Sequence, residues 1–379
     1  MTTAADFTDE GLARIDAVVA GSVEQQQVPG VVAAIARGAT VHVACAGVMA
    51  VGGGPMQRDT MFRIASITKP MTAAVVLSLV ADGLFELDEP VERLLPELAD
   101  RRVLRRPDGP LDDTVPAQRA ITVRDLLTFT WGFGMQGAMF MAPEPWPVCT
   151  AAADLHTLGE PQPDSTPDPD TWMARLAELP LMVQSGERWL YSSGSQVLGV
   201  LAARAAGASF DQVMRDRLFV PLGLDDTAFY TTDAHRLATS YARHDGRLEV
   251  HDAPDGQWSH PPAFPDGAGG LVSTAEDVIT FGRMLLRGGD PVLTPAAVAE
   301  MTRDQLTPEQ RSNQWDGFDM LDGRGWGYGV SVLDDGRYAW DGGLGTTWSN
   351  VPSDDLTVVV LTQRMWDETG PPAVCADVL

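Results

Sequence analysis

The chain has 379 residues, 44% of them hydrophobic and 21% charged, which suits a globular protein with one large core or two ordinary ones and excludes a disordered one. Twenty-seven basic residues face fifty-two acidic ones, a formal charge of -25, so neither nucleic acid nor an anionic membrane is expected as a partner. One feature of that count points to chemistry: Lys69 is the only lysine, every other basic residue being arginine.

Taken in chain order, residues 8–21 pattern as an amphipathic helix, with Leu12, Ile15, Val18 and Val19 at helical spacing. The N-terminus carries no basic region followed by an apolar core and a cleavage site, and reads as a mature start. VVAAIAR (31–37) and VHVACAG (41–47), separated by Gly38-Ala39-Thr40, read as an antiparallel hairpin. The run from Met71 to Val80, closed by Gly83, is apolar nearly all round and predicts a central buried helix.

From about 84 to 265 the pattern shifts to helical pieces between Pro- and Gly-rich loops. The pieces are VRDLLTF (123–129), WMARLAEL (172–179), SQVLGVLAARAAG (195–207) and SFDQVMRDRLF (209–219). Residues 132–171 show little periodicity, and a loop that long in a compact domain is usually functional or disordered. His235, His244, His251 and His260 fall in polar loop sequence and read as surface residues. Gly269-Gly270 opens a strand end leading into the helix LVSTAEDVITFGRMLL. Strands are then expected at 327–333, 337–340, 346–352 and 356–363. Strands near both ends with helices between predict an α/β fold. An antiparallel sheet is built from 1–83 and 266–379, a helical domain at 84–265 is inserted, and the site lies in the cleft between.

Ser66-Ile67-Thr68-Lys69 stands where a loop enters the buried helix. Residues three apart share a helix face, so hydroxyl and amine can meet. A helix N-terminus and burial both disfavour an ammonium, and a neutral lysine is a workable base for serine. Arginine cannot be deprotonated in a protein, which gives a reason for one lysine to persist where all others are arginine. Tyr191-Ser192-Ser193 lies in a turn before a helix, where a phenol can shuttle a proton; alone it reads equally as a core aromatic. Trp340-Asp341-Gly342-Gly343 follows a short strand, and its glycines let backbone approach a ligand closely.

In this order the three stretches resemble the serine β-lactamase-like family, which includes class C β-lactamases, D-alanyl-D-alanine carboxypeptidases and family VIII esterases. LLTFTWGFG (126–134), PLGLDDTAFY (221–230) and GAGGLVSTAEDVITFGRML (267–285) add to the likeness, which covers most of the chain. The resemblance implies Ser66 as acylated nucleophile, Lys69 as base, Tyr191 as the second motif's tyrosine and 340–342 as the third motif. It implies an oxyanion hole from the backbone N–H groups of Ser66 and Gly343.

Two positions depart from that pattern. Ser193 stands where the second motif commonly has Asn. The third motif begins with Trp340 followed by Asp341 where Lys or His is usual, and a carboxylate there repels an acid group. An esterase acting on small, uncharged ester or amide substrates is therefore expected. An acyltransferase of the same fold, a β-lactam or D-amino-acid peptide hydrolase and a non-catalytic binding module are the rivals. No GxSxG, HExxH or P-loop pattern occurs, and neither metal nor nucleotide cofactor is expected. Cys45, Cys149 and Cys375 are odd in number and far apart, which fits reduced thiols in the cytoplasm.

Overall fold

Two segments far apart in the chain build one antiparallel sheet. From edge to edge its strands are Thr40–Gly47, Gly30–Arg37, Leu356–Thr362, Thr346–Val351, Tyr338–Gly342, Ser331–Val332 and Gly325–Trp326. The computed structural model describes residues 7–312, 319–367 and 370–378. The first two strands are the expected hairpin. Arg37 stands opposite Thr40, and Gly38 at φ +56° supplies the left-handed residue that a two-residue turn needs. Val31 pairs with Thr362 and Arg37 with Leu356, so the two ends of the chain share one set of backbone hydrogen bonds.

The central strands are apolar on both faces because both are covered. Val32, Ala34 and Ala36 face the larger core, while Val31, Ala33 and Ile35 face a second one. Helix Asp9–Glu24 covers the second face, with the Thr8 hydroxyl accepting from the Gly11 amide at its N-cap. Helix Ala275–Leu286 covers the first, capped in the same way by Thr274. The expected apolar helix is Thr68–Ala81, with every residue from Thr68 to Leu79 buried. It has no polar face to turn outward, so it lies inside. Helices Val123–Leu127, Pro169–Glu178, Ser193–Ala206 and Phe210–Met214 occupy the other predicted places. Among the described residues no helix is long and apolar enough to cross a membrane.

Three local expectations change. The strand expected at 327–333 shrinks to Ser331–Val332, because Gly329 takes φ +71° and packs against the Lys69 carbonyl instead of pairing. The stretch 132–171 is not all loop, since it folds Gly137–Met141 and Pro147–Ala151 into short helices. His244 and His251 lie in a hairpin, Ser240–His244 with Arg247–Asp252, not in loops. Its turn, Asp245-Gly246, has φ +50° and +74°, the Asp-Gly signal for a tight hairpin. His235, His244 and His260 are exposed, but His251 is half-buried and lies 3.3 Å from Glu160.

That hairpin docks on the sheet. The Tyr241 amide donates to the Gln363 carbonyl (2.7 Å), and Asp252 enters a buried ion pair with Arg63, whose Nε lies 2.7 Å from Oδ2. Arg63 also donates to the carbonyls of Ala238 (2.6 Å) and Ala253 (2.8 Å). The residues just before Ser66 are thereby fixed in place.

Candidate active site

Phe62 and Arg63 pair with Ser273 and Val272, and the Ile64 amide donates to the Leu271 carbonyl (3.0 Å). The chain then turns sharply. Ala65 takes φ +45°, unusual for a residue with a side chain, and a single tight turn, Ala65–Ile67, runs straight into helix Thr68–Ala81. This sets Ser66 at the helix entrance, partly exposed, and Lys69 one turn on, buried. Lys69 Nζ lies 2.8 Å from Ser66 Oγ and donates to the Ala268 carbonyl at 2.7 Å. Burial pushes the Lys69 pKa down to about 7, against the opposing attraction of Asp266.

Tyr191 completes the group from the turn before helix Ser193–Ala206. Its phenol lines the same cavity as Ser66, its ring lies 4.6 Å from Lys69 Nζ, and its oxygen accepts the Trp340 indole N–H at 2.9 Å. Behind it stands an aromatic wall. Trp189 stacks on the Tyr191 ring at 5.6 Å, Phe129 meets its edge at 6.0 Å, and Trp326 meets Trp340 edge-on at 4.7 Å. Burial among these rings raises the Tyr191 pKa well above that of a free phenol, despite the lowering effect of Ser66 and Trp340 beside it. The two neighbours of Ser66 are thus driven apart, the amine toward a free base and the phenol toward a retained proton.

The third predicted stretch is the strand Tyr338–Gly342, in register with Thr346–Val351 so that Trp340 faces Trp348 and Asp341 faces Thr347. Gly342 serves a different purpose from the one expected. A Cβ there would collide with the Ile64 carbonyl oxygen and the Thr346 hydroxyl, so this glycine lets the strand close on the turn that carries Ser66. Gly343 is the one that opens toward ligand space, with nothing within 4 Å of a Cβ. Asp341 does not stand alone as a repelling charge. It is half-buried, accepts from the Thr347 hydroxyl, and lies 3.7 Å from the Arg324 guanidinium, which also covers the Trp340 ring at 5.5 Å.

Ser66, Tyr191, Trp340, Asp341 and Gly343 line one cavity of about 400 Å³. Ser193 does not. It is buried, accepting from Trp131 Nε1 (3.2 Å) and donating to the Phe133 carbonyl (2.7 Å), because the helix start turns it inward. Its neighbour Ser192, at φ +87°, faces the cavity instead. The mouth is apolar, formed by Met135, Phe140, Pro161, Leu344, Met365 and Trp366. Trp131 and Trp172, which flank the unpatterned stretch, are fully buried core residues. Asp266, Gln196 and Arg324 were not singled out from sequence, since they come from three separate segments with no motif of their own. A second cleft of about 470 Å³, between 211–232 and 261–265, holds no serine and no lysine.

A family model described as Beta-lactamase matches residues 15–372. Protein Rv1367c of Mycobacterium tuberculosis is 39% identical over 83% of this chain and 80% of that protein. Esterase EstB of Burkholderia gladioli is 30% identical over 96% of this chain and 93% of its own. Among solved structures, EstCE1, a hydrolase with promiscuous acyltransferase activity, matches with a TM-score of 0.83 at 26% identity, covering 98% of both chains.

Proposed function

This chain belongs to the beta-lactamase family and is a serine ester hydrolase or acyltransferase of that fold, and from that premise we propose that it cleaves small, uncharged carboxylic esters through an acyl-enzyme on Ser66. The observation that carries the reading is the contact between the Lys69 amine and the Ser66 hydroxyl, 2.8 Å apart, with the Tyr191 phenol in the same cavity.

Neutral Lys69 takes the Ser66 proton as Oγ attacks the ester carbonyl. The Ser66 and Gly343 amides hold the oxyanion, Ser66 from the entrance of a helix and Gly343 from the end of its strand. As the tetrahedral intermediate collapses, Tyr191 gives its proton to the leaving alcohol, and the Lys69 ammonium restores it. The indole N–H of Trp340 donates to the phenol oxygen and holds it in the cavity with Ser66. Water then attacks the acyl-enzyme, giving its proton to the same base, and the acid leaves with Ser66 restored. Trp340, Asp341 and Gly343 form a wall beside the ester, in the cleft with 1–83 and 266–379 on one side and 84–265 on the other.

The charged residues of the wall support an uncharged substrate. Asp341 is matched by Arg324. The apolar mouth suits an apolar acyl or alcohol group. A bound alcohol in place of water turns the same steps into acyl transfer, and the likeness to EstCE1 favours keeping that reading beside hydrolysis. Three free thiols support the cytoplasm as its compartment.

The test is intact-mass labelling with a phosphonate probe and turnover of p-nitrophenyl esters, on wild type and Ser66→Ala, with added alcohols to reveal transfer products. Labelling and turnover lost together in Ser66→Ala are expected. Undiminished turnover by that variant would sink the mechanism.

A further inference from the structure

The turn 266–270 is wedged between helices Thr68–Ala81 and Ser193–Ala206. Thr72 Oγ1 donates to the Gly267 carbonyl (2.8 Å), and a side chain at Gly267 would run into the Ser195 carbonyl oxygen at 2.6 Å. Inside this turn Asp266 is buried with both carboxylate oxygens engaged. Oδ1 accepts from the Ala268 amide at 2.6 Å and Oδ2 from Gln196 Nε2 at 3.0 Å. Gln196 is itself held one way round, because its carbonyl accepts the buried Thr157 hydroxyl at 2.6 Å.

Ala268, fixed at its N–H, turns its carbonyl to Lys69 Nζ. A carbonyl can only accept, so one amine hydrogen is committed there, and the lone pair of the neutral amine is left to face Ser66 Oγ. The turn alone does not require a charge, since Asn offers an acceptor to the Ala268 amide just as well. A buried carboxylate is costly unless an opposite charge answers it. The groups facing the amine are the uncharged Ser66 and Tyr191, together with Asp266. Among the described residues Asp266 is the one carboxylate acting on Lys69, and Lys69 the one cation acting on Asp266; burial pushes the Asp266 carboxyl up, and the Ala268 amide, the Lys69 charge and the Gln196 amide act against that.

We propose that Asp266 is a positioning residue for the base, pinning the Ala268 carbonyl on the Lys69 amine and setting one negative charge behind it. The inference rests on the Ser66–Lys69 reading above. Its consequence is a stronger base: the charge favours the ammonium, offsets part of the burial, and lets the amine draw the serine proton more readily.

Because Lys69 is the only lysine, isotopically labelled lysine gives a single side-chain NMR signal whose pH titration reports this amine alone. In Asp266→Asn that titration should fall by about one pH unit, and plateau kcat/KM should drop about tenfold with KM little changed. Gln196→Met, which strips the donor from one carboxylate oxygen and makes the carboxyl easier to protonate, should move the signal the same way by less. That variant carries the test if Asp266→Asn does not fold. A Lys69 signal unchanged or shifted upward in a folded variant overturns the inference while leaving the base assignment intact. A wild-type signal titrating like an ordinary lysine overturns the base assignment itself.

Discussion

Lys69→Arg keeps a cation on a long stem and removes the ability to become neutral. With its pKa pushed down to about 7, Lys69 is a free base in about nine of ten molecules at about pH 8. An arginine is not deprotonated in a protein, so the variant offers no free base. General-base catalysis is worth about 10²–10⁴ in rate, and kcat/KM should fall about a thousandfold, or about 4 kcal/mol of barrier. The assay is the initial rate on p-nitrophenyl butyrate across pH, with a thermal melt to show that the variant is folded. Wild type should lose activity about tenfold per pH unit below about 7 and level off above it, because the protonated amine is inactive. The argument is refuted if folded Lys69→Arg keeps more than about a tenth of wild-type kcat/KM, or if the wild-type limb lies near the ordinary lysine value.

The remaining predictions concern the frame around that amine. Gly342→Ala should push the strand off the Ile64 carbonyl, lowering stability by about 1–3 kcal/mol in urea unfolding and slowing phosphonate labelling of Ser66; normal labelling would contradict the close approach. Trp340→Phe removes one donor from the Tyr191 oxygen and should lower kcat about tenfold, with the protein still folded by circular dichroism. Arg63→Ala leaves Asp252 charged and buried and should cost about 3–5 kcal/mol, read as a lower urea midpoint; a change below about 1 kcal/mol would rule out the ion pair as an anchor. Stability should also depend on Lys69. The unfolded chain holds its proton up to the ordinary value of 10.5 and the folded chain only to about 7. The unfolded state therefore binds more protons between those values, and stability rises with pH across that window. In Lys69→Met that rise should flatten; an identical pH slope in both proteins would refute it.

How much of this was legible in sequence depended on whether the information was local. The hairpin 30–47 could be read because its pattern and its turn are contiguous, and the buried helix because a run with no polar face has nowhere to lie but inside. Ser66 and Lys69 were legible because helical spacing alone brings them together and a lone lysine among arginines is visible as composition. The hairpin at 240–252 was missed although its Asp-Gly turn was in plain view, because the polar residues around it masked the strand pattern.

Other features had no local signal. Asp341 read as an isolated negative charge because Arg324, seventeen residues earlier, gives no sign in the sequence that it will lie beside it. Ser193 stands at a motif position, but the direction of a side chain at a helix start depends on what packs around it, and Phe133 and Trp131 draw it inward. Asp266 and Gln196 looked like ordinary polar residues until helix packing closed the turn between them. By itself the sequence determined which elements form and which residues have reactive chemistry, since those follow from periodicity and composition along a few turns of chain. The tertiary structure alone decided which charges meet, which glycine faces the ligand and what sets the amine's proton affinity. Those depend on distances and burial between segments that only packing brings together.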